Sequence, residues 1–185
     1  GPNAAGKTTI LKTTLFNIII SQQIGVGCYK SAKINPYTYI YSYINIPDTS
    51  ARDSLFQAEA RRCKEILDSI SKSKPTERHF CIFDEIYSGT NPTEAIASAY
   101  SFLKYISKNN NIDYILTTHY ITLCKMMHDN NNISNQQMEI KNSINTYKLV
   151  NGISNIKGGI KVLQELGYNQ EIIDLAKDVV NSINI

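Results

Sequence analysis

Apolar residues recur along the chain at two spacings, and these predict alternating helices and strands. The helical spacing predicts helices over Thr8 to about Ile20, Ser54–Ser71, Pro92–Ile106, Gly158–Leu166 and Gln170–Val180. Short apolar or alternating runs predict strands over Tyr37–Ile44, His79–Phe83 and Tyr114–Thr118, and a hairpin that pairs Met138–Ile140 with Thr146–Val150. Strands that alternate with helices in this way are typical of an α/β fold with a mainly parallel sheet.

Composition limits the class of protein but does not indicate a particular activity. The chain has 185 residues, 42% of them apolar, and a net charge of +3. One globular domain is the natural expectation, and so mild a charge does not argue for a nucleic-acid surface. The sequence has no signal peptide and no apolar run long enough to span a bilayer. The cysteines are widely spaced, which argues against a zinc site or a disulfide framework and fits a reducing compartment, the cytosol or the nucleus: Cys28, Cys63, Cys81 and Cys124.

The first residues, Gly1 to Thr8, fit the phosphate-loop pattern G-x-x-x-x-G-K-[ST]. Glycines let backbone N–H groups turn towards phosphate oxygens, and the helix that follows adds the positive end of its dipole. Lys7 can reach the β- and γ-phosphates, and Thr8 can offer its hydroxyl to Mg²⁺. A chance match in a glycine-containing loop is the alternative. The predicted ATP contacts are Gly1, Pro2, Asn3, Ala4, Ala5, Gly6, Lys7, Thr8 and Thr9.

A phosphate loop normally follows a core strand, and here nothing precedes it. The chain also lacks an initiator methionine. We therefore expect a piece of a longer protein whose first strand is missing.

Two predicted strands end in residues that suit phosphoryl transfer. Asp84 and Glu85 follow the apolar run that ends at Phe83; Asp84 would hold Mg²⁺ and Glu85 would orient or deprotonate the attacking water. His119 ends the next strand and could sense a γ-phosphate by hydrogen bonding. The alternative for Asp84 and Glu85 is a solvated acidic pair, and the phosphate loop upstream favours the catalytic interpretation. The alternative for His119 is a structural histidine, and its place after a second core strand leaves the two roles about equally favoured.

Ser54 begins a predicted helix. Its default role is to cap the free N–H groups of that helix, yet a helix N-terminus is also a good anion site. The residues around Ser54 do not decide between the two roles.

Taken together, these motifs resemble the MutS family of DNA mismatch-repair proteins. The order of the motifs is the family's, and the resemblance covers nearly the whole chain. The matching residues are Gly1-Pro2-Asn3, Gly6-Lys7-Thr8, Ser54-Leu55-Phe56-Gln57-Ala58-Glu59, Asp84-Glu85-Ile86, Gly89-Thr90, Thr117-Thr118-His119-Tyr120, Tyr147-Lys148-Leu149, Gly152, Ser154, Leu166-Gly167 and Ala176-Lys177.

The resemblance implies an α/β P-loop NTPase of the ABC-ATPase type that uses ATP and Mg²⁺ and acts as a dimer with a second MutS-like subunit. Residues 1–150 would form the ATPase domain and residues 151–185 a helical C-terminal dimerisation element. Lys7, Glu85 and His119 would be catalytic, with Thr8 and Asp84 on the metal. Ser54 would contact the γ-phosphate bound by the partner subunit. Mismatched double-stranded DNA would be bound by upstream domains, and no membrane would be involved.

The sequence departs from the family pattern at a few positions. Leu55 stands where threonine is usual, Ser88 where the family often has arginine, and Ala4-Ala5 replaces a pair that often includes glycine. Two other functions stay open: a MutS-like ATPase in recombination control or on branched DNA, and a non-catalytic, nucleotide-gated dimerisation module. A transporter subunit is disfavoured, because the chain has no Ser-Gly-Gly-Gln signature.

Overall fold

The computed structural model of the chain describes residues 6–44, 54–128, 132–141, 144–154 and 158–182. In these ranges helices and strands alternate through most of the chain, which confirms the predicted α/β class. The elements are α1 (Lys7–Ile24), β1 (Tyr39–Tyr43), α2 (Leu55–Lys72), β2 (His79–Asp84), α3 (Pro92–Ile106), β3 (Ile112–Thr117), α4 (Ile121–Met127), β4 (Gln136–Lys141), β5 (Ile144–Asn151), α5 (Gly158–Glu165) and α6 (Gln170–Ser182).

The first three strands form a parallel sheet in the order β1-β2-β3. Parallel strands end at the same edge, so the residues that follow them meet there. Asp84, at the end of β2, is in register with Thr117 at the end of β3. Strands β4 and β5 pair separately as an antiparallel hairpin, as predicted. The sheet thus gathers the carboxyl ends of β2 and β3 at one place.

Strand β2 is buried on both faces because helices cover both sides of the sheet. Side chains alternate along a strand: Phe80 and Ile82 pack with Leu11 of α1, whereas Cys81 and Phe83 pack into the larger cluster formed with α2, α3 and α4. This explains why the sequence of β2 is a continuous apolar run rather than an alternating one.

Several element bounds differ from the predicted ones. Helix α1 continues past Ile20 to Ile24, where Gly25 adopts a left-handed conformation (φ 74°) and its N–H bonds back to Ser21. The short helix α4 is absent from the prediction. It begins at Ile121, and the residue before it, Tyr120, makes no side-chain cap, so no local sequence signal marks its start.

An apolar cavity of about 670 Å³ lies along the outer edge of β3, between α1, α4 and the hairpin. Ile10, Leu116 and Met138 are among the side chains that line it. Among the described helices, none combines the length and apolar character that crossing a membrane requires. The division at residue 150 and the missing first strand stay predictions.

Candidate nucleotide site

Asp84 joins the end of the parallel sheet to the start of α1. Its Oδ2 accepts a hydrogen bond from the Thr8 hydroxyl at 2.7 Å, and its Oδ1 accepts one from the Thr117 hydroxyl. Thr8 lies in the first turn of α1, directly after the glycine loop. The structure therefore brings together the acidic pair and the phosphate-loop motif, which are 76 residues apart along the chain.

Glu85 occupies the centre of the site. One carboxylate oxygen lies 3.0 Å from Nζ of Lys7, and the other lies 3.6 Å from Nδ1 of His119. Its backbone N–H donates to the carbonyl of Thr117 at 3.0 Å. Its φ of 52° is left-handed, a conformation that costs a non-glycine residue about 1–3 kcal/mol. Strain of this kind persists only where surrounding contacts impose it.

The groups that contact Glu85 keep it ionised. The pKa of its carboxyl is lowered to about 2, first by the His119 imidazole and then by the Lys7 ammonium, against the opposing effect of burial. A carboxylate with so low a pKa is a weak base near neutral pH. In this arrangement Glu85 is better suited to orienting a water molecule than to removing its proton.

The residues around Asp84 fit a magnesium ion. Thr8 and Asp84 offer a hydroxyl and a carboxylate, the hard oxygen ligands that Mg²⁺ prefers. Across the described part of the chain, no three His, Cys, Asp or Glu side chains come together in a way that could hold a metal. A cation held by two protein oxygens would take its remaining ligands from water and phosphate, which is usual for Mg²⁺.

The glycine loop itself is described only at its end. The predicted contacts Gly1, Pro2, Asn3, Ala4 and Ala5 lie outside the described residues. Gly6 has a φ of 93°, and its carbonyl accepts the first bond of α1, from the N–H of Ile10. Thr9 follows in the first turn with its side chain exposed. The chain direction at Gly6 thus depends on a conformation that glycine adopts without strain.

The sequence did not single out Tyr147 as part of the site. A Cβ built on Gly6 would lie 3.4 Å from the Tyr147 ring and 3.6 Å from the Met138 methyl group. The Tyr147 side chain is 68% exposed, and its backbone is left-handed (φ 56°). Only the fold of the hairpin brings this ring to the glycine loop, and no local pattern could have predicted it.

Comparison with known proteins places this sequence in a family. A family model described as MutS domain V matches residues 1–184. The chain belongs to the MutS family. It is 30% identical over 97% of its length to a DNA mismatch repair protein MutS from Orientia tsutsugamushi (strain Ikeda). It is 29% identical over 99% to one from Prochlorococcus marinus (strain MIT 9301). It is also 28% identical over 100% to an Endonuclease MutS2 from Fusobacterium nucleatum.

The chain covers 20–23% of these relatives' lengths. The MutS resemblance read from the motifs is therefore confirmed for one domain of the family.

The MutS signature stretch lies at the start of α2. The Ser54 hydroxyl accepts from the N–H of Gln57 at 3.3 Å, and the Gln57 side chain accepts from the N–H of Ser54 at 2.8 Å. This reciprocal pair is a capping box, so the capping role expected of Ser54 is confirmed. A serine hydroxyl that accepts one bond still has its own proton to donate, and the role of Ser54 in nucleotide contact stays a prediction.

One of the departures from the MutS pattern has a structural partner. Ser88, where MutS proteins often have arginine, donates from both its N–H and its hydroxyl to Glu59 of α2, at 3.1 and 2.8 Å. Leu55 touches the same turn: a Cβ on Gly89 would lie 2.8 Å from the Leu55 side chain. Both residues thus lie at the contact between the α2 start and the turn that follows Asp84.

Proposed function

We propose that the chain binds and hydrolyses ATP with Mg²⁺ as the ATPase domain of a MutS-like protein, on a P-loop fold of the ABC-ATPase type. The observation that carries the proposal is the meeting of two separate motifs at one point. Thr8 is hydrogen-bonded to Asp84, and Lys7 is ion-paired to Glu85. Membership of the MutS family supports the same conclusion.

When bound, ATP supplies the phosphoryl group and Mg²⁺ neutralises part of its charge, as in other phosphoryl transfers. The protein's own part is positioning. The phosphates compete with Glu85 for the Lys7 ammonium, which then neutralises phosphate oxygens. Glu85, released from Lys7, accepts a hydrogen bond from the attacking water and aligns it. His119 lies on the opposite oxygen of Glu85 and keeps that carboxylate in place.

The Tyr147 ring, beside Gly6, would contact the nucleotide base in this proposal. An exposed aromatic side chain beside the glycine loop offers a flat face for stacking on adenine. The left-handed backbone at Tyr147 suggests that its placement is maintained against strain.

The active unit of the proposal is a dimer with a second MutS-like subunit. Exposed apolar side chains on α6 recur at helical spacing, which is typical of a surface that packs against another helix. These residues are Ile172, Leu175 and Val179. Ser54 of one subunit would complete the site of the other, so hydrolysis would depend on dimerisation. ATP would then hold the subunits together, and its hydrolysis would release them.

In the full-length protein, this cycle would be coupled to mismatched DNA bound by other domains. A second candidate is an ATPase acting on branched DNA or in recombination control, because the relatives of similar identity include proteins named Endonuclease MutS2. Substrate preference of the full-length protein for mismatched over branched duplexes distinguishes these two candidates.

Phosphate release from ATP by the full-length protein tests the proposal. We expect Mg²⁺-dependent release that falls by about 10²-fold or more in Glu85→Gln and is unchanged in Glu65→Gln, a matched change on the exposed surface of α2. Nucleotide binding without phosphate release would favour the non-catalytic dimerisation module instead.

A further inference from the structure

Glu59 is a buried carboxyl group that the mechanism above does not use. It lies in α2 and is 3% exposed. One of its oxygens accepts from the N–H and the hydroxyl of Ser88, and the other accepts from the N–H of Gly89 at 3.0 Å. Burying an acidic group is costly unless it is hydrogen-bonded, so these donors are what allow Glu59 to remain in this position.

The turn that receives Glu59 is the one that carries Glu85. Two of its residues, Glu85 and Tyr87, have left-handed backbones with φ of 52° and 59°. Such a turn does not keep its shape by local preference, because each of these conformations is unfavourable for a residue with a side chain. Contacts from outside the turn must therefore hold it.

Helix α2 supplies those contacts through two of its residues, Phe56 and Glu59. Glu59 binds the N–H groups of Ser88 and Gly89. Gly89 approaches the first turn of α2 so closely that a Cβ would lie 2.6 Å from the backbone nitrogen of Phe56. The ring of Phe56 also packs against that of Tyr87, with centroids 5.7 Å apart. The start of α2 and the turn therefore form one packed unit.

We infer that Glu59 is a positioning residue: it fixes the turn that aims Glu85 and ties Glu85 to the Ser54 end of α2. This inference rests on the proposed function. A displacement of α2 changes the Glu59 contacts with Ser88 and Gly89, and the turn passes that change on to the Glu85 carboxylate. A phosphate in the partner's site that contacts Ser54 would favour one position of α2. Through that position of α2, it would influence hydrolysis in this subunit's own site.

The test is Glu59→Gln in the full-length protein. The amide keeps the shape of the side chain but replaces one acceptor oxygen with a donor, which opposes the N–H groups of the turn. We expect kcat for ATP to fall about ten-fold or more, while KM changes less than about three-fold, because Lys7 and Thr8 are untouched.

Ser88→Ala removes one of the donors and should lower kcat by about two- to three-fold. The control Glu65→Gln should leave both constants unchanged.

A merely structural role predicts a different pattern. It would lower the melting temperature and the fraction that binds nucleotide, while kcat per binding-competent subunit stays at the wild-type value, and that result overturns the inference.

In a Glu85→Gln background, Glu59→Gln should reduce kcat no further, because it acts through the carboxylate already removed. Additive losses contradict this. If Glu59→Gln does not fold, an unchanged kcat in Ser88→Ala overturns the inference.

Failure of the inference and failure of the proposed function are separable. If the wild-type protein releases no phosphate from ATP, the proposed function fails. If the wild-type protein hydrolyses ATP and Glu59→Gln matches its kcat, only the role of Glu59 fails.

Discussion

The Nζ of Lys7 lies 3.0 Å from a carboxylate oxygen of Glu85, with the two side chains 12% and 29% exposed. In the proposed mechanism Lys7 binds phosphate oxygens, whereas Glu85 orients the attacking water. Their ion pair therefore has to open before the Glu85 carboxylate can align a water molecule. The competition for Lys7 gives a direct prediction for nucleotide affinity.

Glu85→Gln should lower turnover by about 10²-fold or more, because an amide orients water less well than a carboxylate. The same change removes the ion pair that competes for Lys7, so ATP affinity should be equal to or higher than that of the wild type. Equilibrium binding of a fluorescent ATP analogue, alongside single-turnover hydrolysis, measures both effects. Weaker binding in Glu85→Gln would count against the competition for Lys7.

Asp84→Asn should make activity depend on higher Mg²⁺ concentrations. The substitution keeps the size of the side chain and its position between Thr8 and Thr117 but removes the negative charge that would attract the cation. We expect the Mg²⁺ concentration for half-maximal activity to rise about ten-fold or more. The control is Asp113→Asn, at the exposed opposite end of β3. A shift of the same size in both variants would refute a metal role for Asp84.

Gly89→Ala should destabilise the fold by about 1–3 kcal/mol, because the added methyl group would lie 2.6 Å from the Phe56 nitrogen. Gly159→Ala is the matched control: nothing lies within 4 Å of its added Cβ, and alanine favours helix α5. Urea unfolding of both variants gives the comparison. Equal stability of the two variants would mean that the turn moves away from α2 at little cost.

Tyr147→Ala should weaken ATP binding by about ten-fold if the ring stacks on adenine, whereas Tyr147→Phe should bind normally. The aromatic face is retained in phenylalanine and lost in alanine. Affinity for inorganic triphosphate, which has no base, should be the same in all three proteins. A loss of triphosphate affinity in Tyr147→Ala would show that the ring supports the glycine loop instead.

Leu175→Glu should shift the full-length protein towards monomers, because it places a charge in the exposed apolar stripe of α6. Asn181→Glu places the same charge on an exposed position of the other side of that helix and should leave the assembly unchanged. Sedimentation at several protein concentrations measures both. Unchanged association in Leu175→Glu would remove α6 from the proposed interface.

The parts of the site that could be predicted from the sequence are those at the ends of recognisable parallel strands. An apolar run that ends in Asp84 and Glu85 signals a buried parallel strand, and the shared edge of parallel strands brings that end close to Thr117 and His119. Other parts depend on contacts between distant segments. Glu59 ends the stretch that resembles the MutS signature, but its partners Ser88 and Gly89 are recognisable only once α2 is packed. Tyr147 reaches Gly6 only through the hairpin.

The left-handed backbone at Glu85 means that the side chain proposed for activity is also one that lowers the stability of the fold. Glycine or asparagine would adopt the observed φ of 52° at lower cost than glutamate. A selection for thermal resistance alone should thus enrich Glu85→Gly and Glu85→Asn, and both would lack the carboxylate that we propose aligns water. Glutamate at this position therefore costs folding free energy that glycine would not, so a stabilised version of this domain that is to keep the proposed activity should leave residue 85 unchanged.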